Sequence, residues 1–212
     1  MGDIFIAIFS ISFISFFFLK EKGLFSDSIL VFTPRGQEDK MNHVFSSTRK
    51  LLVRYFIGLA VEVILIMVMV SIGLSIVGLK FETAVVVGLF AGLMNVIPYI
   101  GPIIGALFGI VIGIATNLNM EFYSELLPLI TYIAIVFLII QIIDNIFFQP
   151  LIYSSSVNAH PLEIFLVISV AGSLAGITGM VVAVPVYTIL RVVAREFLNK
   201  FKLVHALTDK IE

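Results

Sequence analysis

Two carboxylates stand in long apolar runs of this sequence: Glu62, the one acidic residue between about Leu52 and Leu79, and Asp144, the one aspartate in any apolar segment. An ionisable group inside hydrocarbon costs at least roughly 2.5–3.5 kcal/mol on insertion scales, which makes each a site for a proton or cation by default. Glu62 lies eight residues past Arg54, about 12 Å deeper along a helix. Its ordinary alternative is a neutral carboxyl hydrogen-bonded to a neighbouring helix. Around Asp144, Gln141, Asn145 and Gln149 recur every fourth residue, so one face of an otherwise apolar helix carries amides beside a carboxylate. That stripe is expected to face the bundle interior and to line a vestibule or bind a hydroxylated solute. The other reading places the amides at headgroup level at a helix end.

A third polar residue, Asn95, begins the stretch "NVIPYIGPIIG". Proline has no N–H and clashes with the preceding turn, so Pro98 and Pro102 interrupt a helix twice within five residues. In hydrocarbon each carbonyl so freed needs a partner, so the break belongs at an interface, within protein or beside water. A tight extramembrane turn is one reading. The length of 84–97, about 21 Å of helix against a core of about 30 Å, favours a broken helix with Asn95 at its tip, able to bond a ligand. Gly101, Gly105, Gly109 and Gly113 follow at every fourth residue, Gly88 and Gly92 precede them, and Gly172 and Gly176 repeat the spacing. Such smooth faces admit close helix approach, for static packing or for sliding.

The elements that must position these residues are membrane helices. Of 212 residues, 60% are hydrophobic and 13% charged, with a mean hydropathy of +1.14, against roughly 45–50% apolar and about 25% charged in soluble domains. A soluble chain could not cover its surface with so few polar groups. The net charge of −1 supplies no basic field for nucleic acid. The absence of cysteine excludes disulfides, thiolate metal sites and cysteine nucleophiles. No zinc-protease, nucleophile-elbow, phosphate-loop or dinucleotide signature is present. Ser173 with His160 lacks any supporting signature for a serine hydrolase. The chain is expected not to be an enzyme and to need no metal or cofactor.

The expected fold is all-α, a polytopic membrane helical bundle with two broken helical hairpins. Residues 1–19 form a first transmembrane helix, as no positive n-region or small-residue cleavage site marks them for removal. Residues 20–54 form a cytoplasmic or interfacial region, whose second half places Met41, Val44, Phe45, Leu51, Leu52 and Phe56 near helical spacing. That amphipathic helix lies on anionic lipid or packs on its own protein. Residues 55–198 form the core, with spans at about 52–79 and 126–148, hairpins at 84–116 and 161–190, and a polar loop at 117–125. Pro150 is expected to stop the helix before it and Pro185 to bend the last arm, while 199–212 form a cytoplasmic tail. All thirteen Lys and Arg lie within 20–54, within 191–210 or at Lys80, which places the first two regions in the cytoplasm and Lys80 outside. Parity then makes the hairpins enter from opposite faces, a plan that recurs in secondary transporters. His160 is expected in an exposed loop, with Arg191 and Arg195 as cytoplasmic anchors.

The residues "GLFAGLMNVIPYIGPIIGA" and "DNIFFQPLIYSSSVNAHPLEIFLVISVAGSLAGITGMVVAVPVYTIL" resemble the autoinducer-2 exporter family of bacterial membrane proteins. Asn95, Pro98, Gly101 and Pro102 match its broken-helix motif. Asp144, Gln149, Pro150, His160, Pro161, Gly172, Gly176, Gly179 and Pro185 match its C-terminal motif. Typical members are half as long again, and this chain opens in what looks like their third span. The resemblance implies export of a quorum-sensing signal, autoinducer-2, or sodium(lithium)/proton antiport as in some members. The expectation is an oligomeric inner-membrane transporter moving a small polar solute outward, with Asn95, Gln141, Asn145 and Gln149 on the pathway and Glu62 and Asp144 coupling it to sodium or protons. The contrasting expectation is a non-transporting membrane scaffold.

Overall fold

Apolar backbone in lipid must satisfy its own hydrogen bonds, and a helix does so within one segment. The computed structural model describes residues 2–21, 23–31, 33–34, 36–97, 99–151 and 160–198, and among them the chain is helical with no strand. α1 (Gly2–Lys20) and α2 (Leu24–Val31) are followed by α3 (Glu38–Ile76), α4 (Phe81–Met94), α5 (Ile100–Ala115), α6 (Leu127–Ile143) and α7 (Pro161–Leu198). The tail at 199–212 and the residue Pro98 lie outside the described residues.

α3 is the axis of the bundle. Its 39 residues run without interruption, about 58 Å at 1.5 Å per residue, and the boundary expected at 54/55 falls inside it. The amphipathic face of its first half is turned onto the protein: Val44 and Leu51 are buried against Val192, with Met41 and Phe197 beside them. The second half packs against α4 and α6 through Ile66, Val70, Leu74, Val87, Ile133 and Phe137. α1 stands apart, with Phe5, Ile8, Phe9, Ile11 and Phe16 exposed and Phe9, Phe13 and Phe17 in contact along one side.

The first hairpin has arms of 14 and 16 residues, about 21 and 24 Å, each shorter than a hydrocarbon core of about 30 Å. Its glycines set the spacing. A Cβ at Gly92 would stand 2.6 Å from the Val63 carbonyl oxygen of α3, and one at Gly109 would stand 2.6 Å from the Phe137 ring of α6. Gly101 abuts the Met94 carbonyl, Gly105 the Ala91 backbone and Gly113 the Ile133 side chain. These are close contacts of helix on helix.

The second hairpin lies within α7. Ala175 and Gly176 leave helical geometry, Gly176 with φ 59° and ψ −144°, a combination open in practice to glycine alone. Tyr187 bonds to Glu163, and Gly179 abuts Ala171. These pairs converge on the turn, so arms 161–174 and 177–198 run antiparallel. The apolar stretch 162–197 is therefore folded back on itself, although its length alone would suit a span. Gly172 lies against Met180 within this hairpin. Pro185 sits inside the second arm, which remains helical.

α6 differs from expectation at both ends. A wide turn at Phe122–Leu126 precedes it, closed by the Leu126 N–H on the Glu121 carbonyl at 3.0 Å. The helix thus begins inside the stretch expected as a polar loop. A second wide turn, Asp144–Phe148, follows it, with the Gln149 N–H on the Asp144 carbonyl. Helical structure continues through Leu151, past Pro150. Such wide turns alter the register ahead of a proline that cannot donate to it.

Candidate functional site

Asn95 closes α4 at the break, and the antiparallel packing of α4 on α3 sets it beside Glu62. Asn95 Nδ2 donates to Glu62 Oε1 at 2.9 Å. The Glu62 carboxyl also lies close enough to that of Asp144, from the end of α6, for the two to interact. Gln149 Nε2 donates to Asp144 Oδ2 at 2.9 Å. Glu62 is 3% exposed, Asn95 6% and Asp144 0%, so the cluster lies inside the bundle. Three elements meet there: a helix interior, a broken-helix tip and a wide helical turn.

Asp144 Oδ1 is buried with no N–H or O–H donor, and the carboxyl of Glu62 is its acidic neighbour. A carboxyl pair so placed is suited to hold a proton or a small cation. Among the described residues, no three of His, Cys, Asp and Glu gather as a metal-ligand set.

Of the residues singled out in the sequence, Glu62, Asn95, Asp144 and Gln149 come together. Gln141 and Asn145 do not join them: Gln141 Nε2 donates to Asn145 Oδ1 at 2.9 Å, and Asn145 is exposed on the outer side of the helix. The expected single stripe is split because the wide turn at Asp144–Phe148 changes the residues per turn, so Gln149 no longer aligns with Asn145 four positions before it. Gly101 and Pro102 lie in the first turn of α5, Gly101 buried against the Met94 carbonyl.

Near the start of α7, Glu163 Oε2 accepts a hydrogen bond from the Tyr187 hydroxyl at 2.7 Å and lies 4.0 Å from the Arg191 guanidinium. Arg191 is only 7% exposed, so it is packed inside the hairpin base instead of snorkelling as an anchor. Sequence reasoning missed this trio because its pairing needs the register of the Ala175–Gly176 turn. His160 is exposed, and its Nδ1 accepts the Leu162 N–H at 3.2 Å, capping the first arm. A second feature escaped the sequence. Tyr99, at the break, meets Phe165 of α7 edge to face, with ring centroids 5.5 Å apart.

The two hairpins lie along α3 from opposite directions. Gly88 and Gly92 sit against Met67, Ser71 and Val63, which brings the first break to Glu62. Glu196 pairs with His43, Val192 packs on Val44 and Leu51, and Val184 packs on Tyr55. The second turn, eight residues beyond Val184, therefore falls about 12 Å farther along α3, close to the level of Glu62.

A helical membrane bundle with two oppositely directed broken hairpins, arranged about a buried carboxyl–amide cluster, is the class that fold and site define. The chain belongs to the family described as AI-2E family transporter, whose profile matches residues 1–199. It is 30% identical over 202 residues to the "Putative transport protein YueF" of Bacillus subtilis (strain 168), covering 95% of this chain and 51% of that protein. It is 28% identical over 180 residues to the "Putative permease PerM" of Escherichia coli (strain K12), covering 84% of this chain and 48% of that protein. The chain thus spans about half the length of these relatives, which exceed it by more than the expected half again. No solved structure gives a significant match.

Proposed function

We propose that this chain forms the core of a bacterial inner-membrane transporter that exports a small polar solute such as autoinducer-2 by ion- or proton-coupled alternating access. The observation that carries the reading is the cluster of Glu62, Asn95, Asp144 and Gln149 at the broken tip of the first hairpin. Buried carboxyls and amides are costly in lipid, and broken helices are tolerated there where they line a cavity. Membership of a transporter family is consistent with this use. In this reading Asn95 and Gln149 present amides to a hydroxylated solute, Glu62 and Asp144 couple its movement to an ion, and the protein works as a homo-oligomer. The basic regions within 20–54 and 191–210 face the cytoplasm.

The test is solute flux in proteoliposomes carrying this chain, with labelled autoinducer-2 as the probe. Glu62→Gln and Asp144→Asn should each reduce flux and flatten its pH dependence; if both leave the two quantities unchanged, the coupling role is lost. The undonated Asp144 Oδ1 beside Glu62 favours a second reading, sodium(lithium)/proton antiport. That reading expects sodium pulses to dissipate a pH gradient in vesicles containing no organic solute. A scaffold would show neither activity, and labelling of a cysteine replacing Asn95 by aqueous thiol reagents would then not respond to solute or to an ion gradient.

A further inference from the structure

Tyr99 is the one non-glycine residue with a left-handed backbone among the described residues, at φ 67°. For a bulky aromatic side chain this conformation is a true outlier and persists only where the surroundings impose it. The residue stands immediately before α5 and four positions after Asn95, within the break and in neither arm. Its ring meets Phe165 on the first arm of α7, with planes at 81°. This contact joins hairpins whose main packing partners lie elsewhere: α4 and α5 pack on α3, α6 and each other, and α7 packs on α3. Tyr99 is 37% exposed and Phe165 47%, whereas Ile97 and Asn95, just before them, are 5% and 6% exposed. The ring pair is thus half-exposed, while the polar tip four residues before Tyr99 is buried.

We propose that the Tyr99–Phe165 ring pair is the closure over the polar cluster, holding the two hairpins together and water away from Asn95 until the rings part. The strained backbone and the ring contact fall on the same residue, so parting of the rings removes one of the constraints that hold Tyr99 in the left-handed region. Tyr99 is then a positioning residue for transport, acting through the access it controls. The inference rests on the cluster being a transport pathway, but its test reads water access and not flux, so the two readings fail separately.

The chain contains no cysteine, which makes the test direct. Ile97→Cys places a thiol beside the cluster, and its labelling by a hydrophilic methanethiosulfonate is followed in membrane vesicles carrying the full chain. Tyr99→Ala and Phe165→Ala should each speed labelling by about two- to tenfold, the weight of one aromatic pair. Tyr99→Phe should leave the rate unchanged. Because both alanine variants break the same contact, the double variant should be no faster than the faster single. Phe165, half exposed on a helix, can be cut back without a core cavity, so Phe165→Ala carries the test even if Tyr99→Ala fails to accumulate. Unchanged labelling in Phe165→Ala overturns the proposal. So does a Tyr99→Gly variant that labels no faster than Ile97→Cys alone, since Tyr99 would then be only a turn residue.

Discussion

The pairing of Asn95 with Glu62 is the contact on which the candidate site most depends, and a thermodynamic cycle can weigh it. Asn95→Leu keeps the branched shape of the side chain but leaves Glu62 Oε1 without the donor it has at 2.9 Å. Orphaning a buried acceptor costs about 1–3 kcal/mol. Glu62→Met does the converse and strands the Asn95 amide at a similar cost. With both replaced, neither partner is stranded. The loss in the double variant should therefore fall short of the two single losses together. Pairwise couplings inside membrane proteins average about 0.6 kcal/mol and reach about 1.7 kcal/mol. With Glu62 3% and Asn95 6% exposed, water cannot replace the lost partner, which places this pair in the upper half of that range. The contact of Glu62 with Asp144 does not confuse the result, because it is absent in both members of the cycle that carry methionine and present in both that do not. Reversible unfolding in mixed micelles, followed by far-ultraviolet circular dichroism, supplies the four stabilities. Additivity within about 0.5 kcal/mol would refute the reasoning, since the pair would then be open to solvent and the break not closed around it.

The remaining predictions concern the packing that holds the site. Gly92→Ala sets a methyl 2.6 Å from the Val63 carbonyl, where only backbone can give way, and should cost about 1–3 kcal/mol. Gly113→Ala meets only the end of the Ile133 side chain and should cost less than about 1 kcal/mol in the same unfolding assay; equal losses would contradict the packing described. At Gly176 a methyl meets nothing within 4 Å, so any loss comes from φ 59° and ψ −144°, about 1–3 kcal/mol for Gly176→Ala. Asparagine tolerates the left-handed helical region but not this ψ, so Gly176→Asn should be no better, and rescue by asparagine would show a different turn. Tyr187→Phe removes a 2.7 Å donor from Glu163 at a part-exposed site and should lower stability by about 1 kcal/mol; a stability equal to that of the native chain would mean that the bond adds nothing.

Much of this architecture is legible in the sequence because lipid leaves the backbone few choices. The apolar runs with their prolines and glycines point to a broken hairpin, and Phe81–Met94 and Ile100–Ala115 lie on either side of the break. Glu62, Asn95 and Asp144 draw notice for one reason, the cost of a polar group in an apolar run, and they prove to be neighbours. What the sequence withholds is register. Gln141, Asn145 and Gln149 align only if α6 keeps 3.6 residues per turn, and the wide turn at Asp144–Phe148 breaks that condition. No local pattern announces that turn beyond Pro150 itself, and the proline was expected to end the helix. Glu163 with Tyr187, and Tyr99 with Phe165, depend on how separate segments come to lie together. Residue type alone does not reveal such pairs.

The glycines of the two hairpins do different work, which bears on how the cluster could be reached. In the first hairpin Gly88 and Gly92 press on the backbone of α3 and Gly109 on the Phe137 ring of α6, so α4 is seated by backbone-to-backbone approach and α5 by its backbone against a core ring. Interiors packed at this density do not yield continuously. In the second hairpin Gly172 and Gly179 press on Met180 and Ala171 of the same hairpin. They hold its arms to each other and leave its attachment to α3 to the side chains around Tyr55 and Val192. Leu162, Leu166, Val170, Leu174 and Ile177 of that hairpin remain exposed. The arms of α7 can therefore move as a unit at the expense of fewer close contacts than α4 and α5 would lose. The seated hairpin carries Asn95 to Glu62, and the loosely attached one carries Phe165 to Tyr99, so opening at the ring contact spares the hydrogen bond that assembles the site.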